Sequence, residues 1–520
     1  MIDTSHAVPL LHDYLAASTK RLPDKVALVS RKQRYTYAEL ERRANAIAHT
    51  LVHRGVGCGD RVVVFFENGV EAVVAFWAVL KANAVVCVVH PQTKADKLAY
   101  LLTDCRAAAI VTDASLANVF VPAAARSEHL RLAVVAGAFE PSRLEPVRVV
   151  SFEEATTHPN EASPPRRRAI DVDLAAIIYT SGSTGDAKGV MLTHRNMLTA
   201  ATSLTTLLEN VEDDVILGMF PLAFNYGLYQ MIMSFKLGAR FVLEHSFAYP
   251  ADVLNRIAEE RVTGFPGVPT VFAILAELKS LASFDLSSVR YVTNTAAALT
   301  VKHITMLKDT FPHARIYSMY GMTECKRCTY LPPADIDRKP GSVGVAIPNT
   351  ELWIVDENDR RLGPGEVGEL VIRGATVMRG YWGKPAETAK MLRPGPLPGE
   401  VVLYTGDYCK LDDEGYLYFV GRMDDIIKSR GEKVAPKEVE NVLANVPGVK
   451  EVAVVGVPDA LLGQAVKAFV VLEQDARLTV KDLERECRAR LEDFMVPKHI
   501  ELRDELPKTT TGKIKKTGLE

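Results

Sequence analysis

Ala176-Ile177-Ile178-Tyr179-Thr180-Ser181-Gly182-Ser183-Thr184-Gly185-Asp186-Ala187-Lys188-Gly189-Val190 runs a short apolar segment into a hydroxyl-rich loop. Residues 180–189 hold three glycines, four hydroxyl side chains and Lys188. A strand emptying into such a loop, followed by the helical spacing of Leu192, Met197, Leu198, Leu204 and Leu207, predicts strand, loop and helix. Glycines let backbone N–H groups turn inward, hydroxyls add donors, and a helix N-terminus adds partial positive charge: an anion cradle. Lys188 supplies a mobile full charge for a phosphate. The spacing is not that of a Walker A loop, because Lys188 follows Asp186-Ala187 and precedes Gly189. The plain alternative is a solvent loop of small polar residues.

A chain of 520 residues exceeds one ordinary domain and suggests about three units. With 48% hydrophobic and 24% charged residues it has the composition of a soluble globular protein. A net charge of −2 provides no basic field for nucleic acid or anionic membrane, so neither is an expected partner. The run Pro164-Pro165-Arg166-Arg167-Arg168 reads as a solvated linker. Seven cysteines, an odd number, point to a reducing compartment. Cys325-x-x-Cys328 lacks the second pair that a zinc site of that type needs. The N-terminus has no basic segment ahead of an apolar one, and the apolar window 69–89 is broken by Glu71, Lys81 and Asn83. Neither signal peptide nor membrane span is expected, and the cytoplasm is the default location.

From Val26 onward β-rich runs alternate with helical stretches: 27–29, 37–52, 61–66, 70–82, 85–89, 94–102 and 108–112. A second series of strands is expected at 176–180, 214–220, 239–243, 289–293 and 315–319. Alternation of this kind argues for βαβ units and parallel sheets, here as two similar α/β halves. After about residue 340 strands separated by turns at 356–359 and 412–415 suggest a mostly antiparallel, barrel-like subdomain. Beyond Asp424 a helix, two strands, a second helix and a basic tail make a small α+β domain. The expected domains are therefore 1–423 and 424–520.

Further stretches carry chemistry. The strand at 315–319 delivers Tyr320-Gly321-Met322-Thr323-Glu324 at its carboxyl end, the edge of an α/β sheet where ligands gather. Tyr320 suits stacking on a base, Thr323 a phosphate, and Glu324 a phosphate-bridging magnesium ion; the plain alternative is a turn with a helix cap. Asp407, ending Tyr404-Thr405-Gly406-Asp407, suits a ribose diol that Arg422 shares; the plain alternative is a turn carboxylate. The run Pro507–Lys516 has the composition of a second phosphate loop or of a solvated tail.

Together these stretches resemble the superfamily of AMP-forming adenylating enzymes, which includes acyl-CoA synthetases, adenylation domains of peptide synthetases, and luciferases. The similarity extends from Tyr35-Thr36-Tyr37-Ala38-Glu39-Leu40 to Thr511-Gly512-Lys513. The loop 180–189, the Tyr320–Glu324 element, Tyr404–Asp407, Gly421–Asp425 and Lys513 follow the family's order and spacing. The resemblance implies that Thr180, Ser181, Gly182, Ser183, Thr184, Gly185 and Lys188 hold the outgoing pyrophosphate of ATP. Tyr320 would stack on adenine beside Thr295, Ala296, Ala297 and Ala298, Gly321 and Met322 would also bind the nucleotide, Thr323 would touch the α-phosphate, and Asp407 and Arg422 would grip the ribose. Glu324 and Thr184 would bind Mg2+. Lys513 would be the catalytic lysine of adenylation, offsetting the charge that builds as a carboxylate attacks a phosphate. The small domain would then rotate about Asp424, replacing Lys513 with Lys428 and the Gly431–Val434 loop for transfer to a thiol. That thiol would be coenzyme A or the phosphopantetheine of a carrier protein acting in trans.

Departures from the family pattern bear on the acid. Phe224 stands where many acyl-CoA synthetases have His, and Asn225 where amino-acid-activating relatives have Asp. An amide cannot neutralise an ammonium, so an α-amino acid is disfavoured in favour of an acyl, aryl or hydroxyacyl acid. Phe224, Asn225, Tyr226, Gly227, Val268 and Thr270 are the expected pocket residues. Two other readings stay open: adenylation with an amine acceptor or a very small acid, and a non-catalytic nucleotide-binding protein.

Overall fold

The apolar strand of the opening stretch, Leu174–Thr180, turns back on itself: Lys188–Thr193 pairs with it antiparallel, Thr180 opposite Lys188. The computed structural model describes residues 9–180, 187–295, 299–425, 427–429, 432–459, 463–491, 493, 495–508, 514–516 and 518–519, with backbone alone at 424, 428, 432, 433 and 463. The expected helix after the loop is thus displaced by a strand. It begins at His194, capped by Thr193, whose side chain and that of Asn196 form a reciprocal capping box. Six strand residues put its N-terminus about 20 Å from the loop, too far for its dipole to serve an anion there. β-branched and aliphatic residues on Val190–Thr193 decide this locally, because they favour a pleated surface.

By contacts the chain divides into two units, the first comprising 1–338, 346–351 and 373–403 and the second 339–345, 352–372 and 404–520. The first contains two large sheets. One runs, in spatial order, Gly380–Tyr381, Lys188–Thr193, Leu174–Thr180, Val85–Val89, Arg61–Phe65, Ala107–Asp113, Leu132–Ala136 and Arg148–Ser151. Its parallel strands are nearly all apolar and buried on both faces, as sheets flanked by helices require. The other runs Cys325–Leu331, Arg315–Met322, Tyr291–Asn294, Gly264–Gly267, Val215–Gly218, Arg240–Leu243, Val26–Ser30 and Gln33–Thr36.

The two halves are interleaved rather than sequential. Val26–Ser30, expected in the first series, pairs parallel with Arg240–Leu243, and Leu174–Thr180, expected in the second, pairs with Val85–Val89. Helix Tyr37–His53, entered through a Thr36/Glu39 capping box, packs on the long buried helix Val70–Lys81. Trp77, Phe76, Tyr37 and Phe235 join in edge-on and tilted ring contacts in this layer.

An antiparallel sheet of Thr350–Val355, Gly368–Gly374, Val401–Leu411, Leu392–Pro394 and Leu417–Arg422 supplies the expected antiparallel element. The last part of the second unit has helix Pro436–Ala444, the long hairpin Val449–Asp459/Gly463–Leu472, helix Val480–Arg490 and strand His499–Leu502. Val439, Leu443, Val454, Val466, Val470 and Leu483 form its own core. Among the described residues no helix is long and apolar enough to cross a membrane.

Candidate active site

The site elements of the first unit converge on one side chain, Tyr381. Gly380–Tyr381 is a two-residue strand paired with Val190–Met191, beside the phosphate hairpin. The Tyr381 hydroxyl donates to Glu324 Oε1 at 2.7 Å, and its ring lies 5.5 Å from Lys188 Nζ. Lys188 Nζ in turn donates to Glu387 at 2.8 Å. The hydrogen bonds from Lys188 and Lys390 hold the Glu387 carboxyl down at about 2. Gly189 is enforced by packing: a Cβ there would stand 2.7 Å from an Ile177 methyl. Ser181–Asp186, and with them the phosphate-loop residues Ser181, Gly182, Ser183, Thr184 and Gly185, lie outside the described residues.

Tyr320–Glu324 forms the tip of a β-hairpin between Arg315–Met322 and Cys325–Leu331. No helix follows, so the helix-cap alternative for Thr323-Glu324 does not apply. The pairing slips between Tyr320 and Met322. There the two backbones close to a distance only glycine allows, since a Cβ on Gly321 would meet Arg327 N at 2.7 Å and Cα at 2.8 Å. Arg327 itself sits at φ 51°, a region that costs most side chains of order 1 kcal/mol or more. Glu324 is half-exposed at the tip. A hard carboxylate oxygen held by one hydroxyl suits Mg2+, which keeps several waters and takes the rest of its ligands from phosphates. Among the described residues no group of three or more His, Cys, Asp or Glu side chains is arranged to hold a metal by itself. Cys325 and Cys328 are buried and bonded to Thr376 and to backbone, as packing residues are.

Phe220, Phe224 and Tyr226 form a group of aromatic ring contacts in the same unit. Phe224 caps helix Asn225–Leu237. Gly227 fits because a side chain would strike the Phe220 and Pro221 carbonyls at 2.7 Å. Tyr226 is buried, its hydroxyl bonded to Thr293 and receiving the Gly267 N–H at 3.1 Å. Burial pushes its phenol up, so it stays a neutral donor. Val268 is buried at the cap of helix Pro269–Glu277, and Thr270 is half-buried in its first turn. Thr295 follows strand Tyr291–Asn294, and Ala296–Ala298 lie outside the described residues.

Sequence reasoning missed two cations here. Lys326 and Arg327 are buried behind the hairpin tip. Lys326 Nζ donates to the Asn225 carbonyl at 3.0 Å and stands 4.7 Å from the Tyr229 ring centre. The Arg327 guanidinium lies 4.7 Å from the centre of the Tyr226 ring and reaches Met319 Sδ. Desolvation pulls both cations below their ordinary values. In sequence, Cys325-Lys326-Arg327-Cys328 draws notice only through its two cysteines.

Asp407 and Arg422 belong to the second unit, as paired residues of an antiparallel ladder. Their charges lie 3.5 Å apart, with Asp407 buried and Arg422 exposed. Gly406 at φ 68° makes the turn in the strand, its N–H donated to Glu369. Lys513 and Gly431 lie outside the described residues, and Asp424 and Lys428 are described by backbone alone.

A lysine-bearing hairpin tied through one tyrosine to a carboxylate-bearing turn, beside buried aromatic side chains, is an arrangement that suits a nucleotide with its cation. Residues 15–382 match the AMP-binding enzyme family and residues 438–513 the AMP-binding enzyme C-terminal domain. A long-chain-fatty-acid–CoA ligase of Bacillus subtilis is 32% identical, across 98% of this chain and 95% of that protein. A feruloyl-CoA synthase of an Amycolatopsis species is 34% identical across 92% of each. The crystal structure of ATP-bound MatB from Rhodopseudomonas palustris superposes with a TM-score of 0.87 at 30% identity, over 98% of each chain. The chain belongs to the AMP-binding enzyme family. It is an AMP-forming acid–thiol ligase that uses ATP.

Proposed function

We propose that this enzyme joins a carboxylic acid without an α-amino group to coenzyme A. The acid's carboxylate oxygen attacks the α-phosphorus of ATP, the bond to pyrophosphate breaks, and an acyl-adenylate forms. The thiol of coenzyme A then attacks the acyl carbon, AMP leaves, and the thiol proton passes to solvent. The observation that carries this reading is Tyr381, which holds Glu324 while its ring lies against Lys188. The proposed metal carboxylate and phosphate lysine are thereby linked through one side chain, which suits a nucleoside triphosphate with a bridging cation.

When bound, Mg2+ on Glu324 and Thr184 would neutralise phosphate charge. Thr180–Gly185 and Lys188 would hold the outgoing pyrophosphate, Tyr320–Met322 with Thr295–Ala297 the adenine, Thr323 the α-phosphate, and Asp407 with Arg422 the ribose. Lys513 would offset the charge of one anion attacking another. A moving segment that starts at Asp424 would then bring Lys428 into position for thiol transfer. Coenzyme A is favoured over a carrier protein or an amine because the names of the similar ligases pair their acids with it. The buried Asn225 amide, beside two buried cations, offers no counter-charge for an ammonium group on the acid.

Acid-dependent ATP–pyrophosphate exchange, followed by thioester formation with coenzyme A, tests the reading. Lys513→Ala is expected to abolish exchange yet leave reaction of a supplied acyl-adenylate with coenzyme A largely intact. Equal loss of both steps would remove the assignment of Lys513.

A further inference from the structure

We propose that the acid this enzyme activates carries a second carboxylate, taken up by Lys326, Arg327 and the Asn225 amide behind the hairpin tip. This rests on the ligase reading above and specifies its substrate.

Burying a charge is tolerated when an opposite charge or a full set of hydrogen bonds comes with it. The other buried ionised groups of the first unit obey this rule. Lys81 sits on Glu41, Asp214 on Arg290, and Glu260 on Arg34 and Arg240. Lys326 and Arg327 do not. Each is more than nine-tenths buried, and among the described residues neither has a carboxylate within ion-pair distance. Lys326 spends one of its three donors on the Asn225 carbonyl. Arg327 bonds the neutral Tyr226 hydroxyl and its Nη1 meets a thioether sulfur, while its Nε has no acceptor. Beside them the Asn225 side chain is buried with both amide atoms unpartnered.

Two cations and an idle amide therefore share one buried spot, walled by Tyr226 and Tyr229. This is a surplus of donors and positive charge. The backbone is bent to produce it. Adjacent strand residues ordinarily face opposite ways, whereas the slip at Gly321 and the left-handed Arg327 bring both cations to the Tyr226 ring. A planar carboxylate matches the requirement: two oxygens with about four acceptor sites, able to take an Arg fork and an ammonium together.

The reacting carboxylate is not that anion. It must meet the α-phosphate at the half-exposed tip, near Thr323, whereas the cations lie three and four residues farther along the strand, behind the tip and fully enclosed. The remaining candidate is the far end of the acid. The Tyr226 and Tyr229 rings, with Phe224 above, would flank its apolar middle.

The test is ATP–pyrophosphate exchange with a series of diacids, malonic to sebacic and the phthalic acids. Each is set against its own mono-methyl ester and against the unsubstituted monoacid of equal length. At the best length the diacid is expected to exceed its ester by roughly 100-fold in kcat/KM, because the ester leaves the buried cations unpaired. Arg327→Met should bring diacid and ester within a few-fold of each other, with a thermal midpoint equal to or above that of the native chain. Lys326→Met should do the same. Exchange with monoacids or esters as good as with every diacid would overturn the proposal and leave the ligase reading standing. So would an Arg327→Met chain that melts well below the native one while keeping its acid preference, since the arginine would then be structural. No exchange with any acid would remove both readings. The comparison of diacid with ester needs no variant, so a chain that fails to fold does not spoil it.

Discussion

Lys81 and Lys326 are both fully enclosed lysines of the same α/β unit, and they are kept there in opposite ways. Lys81 ends helix Val70–Lys81 with its ammonium 2.7 Å from Glu41 of the neighbouring helix. Lys326 has a backbone carbonyl and two tyrosine rings. The first arrangement is complete without any other molecule. A buried pair of this kind is a register device: its worth lies in what happens when one partner is removed. The second is complete only in the presence of something else. Buried charge in this protein thus falls into architecture, where the counter-ion is built in, and recognition, where the ligand brings it.

The sharpest way to break that contrast is to remove each ammonium in turn. Lys81→Met leaves Glu41 enclosed without its cation and is expected to cost about 3–5 kcal/mol of unfolding free energy. Lys326→Met removes a charge that has no counter-ion and should leave stability unchanged or raised. Denaturant unfolding of the two variants reads both; a comparable loss in Lys326→Met would place it with Lys81.

A third enclosed group escapes the problem by shedding its proton. His194 accepts the Leu11 N–H through Nδ1, and burial, helped by Arg167, lowers its imidazole to about 4. A folded value below the unfolded one means the unfolded chain binds the proton first. The resulting stability is therefore full above about pH 6.5 and declines as pH falls toward 4. His12, whose ring is 6.1 Å away, is buried and shifted in the same direction. Melting curves between pH 7.5 and 4.5 should slope downward on the acid side, and His194→Asn should flatten part of that slope. An unaltered slope would assign it to other groups.

The smallest effect concerns Lys188, a site cation that does have a local counter-ion. Its pair with Glu387 is partly exposed and therefore weak. Glu387→Gln is expected to lower KM for ATP by a few-fold, because Lys188 no longer has to leave a carboxylate to meet a phosphate. A raised KM would make Glu387 a positioning residue instead.

Local order was legible where periodicity and caps agree. The helices at 37–53 and 70–81 and the strands at 61–65 and 85–89 follow from spacing alone. Strand order was not, because it depends on which buried faces meet, so Val26–Ser30 and its neighbour Gln33–Thr36 join a sheet whose remaining strands begin nearly two hundred residues later. Gly264-Phe265-Pro266-Gly267 carries the composition of a loop and is an interior strand. Gly264 is small there because the Tyr291 hydroxyl would lie 2.2 Å from any Cβ. At the candidate site, Glu324, Lys188 and Asp407 stand out in the sequence as candidates because each lies at or just after the end of an expected strand. Tyr381 and Glu387 do not, since they meet Glu324 and Lys188 across 57 and 199 residues of sequence. Lys326 and Arg327 were hidden by the alternation rule itself, which puts one of two neighbours in solvent.

The hairpin that carries Glu324 at its tip also carries the two cations on its inner edge, and Gly321 locks its two strands together without room for play. Such a ribbon acts as a ruler. One end is set by the nucleotide and the other by the buried cations, and no hinge lies between them. Acids would then be measured rather than merely admitted: one spacer length fits between the marks, and altering the wall residues changes girth without moving either mark.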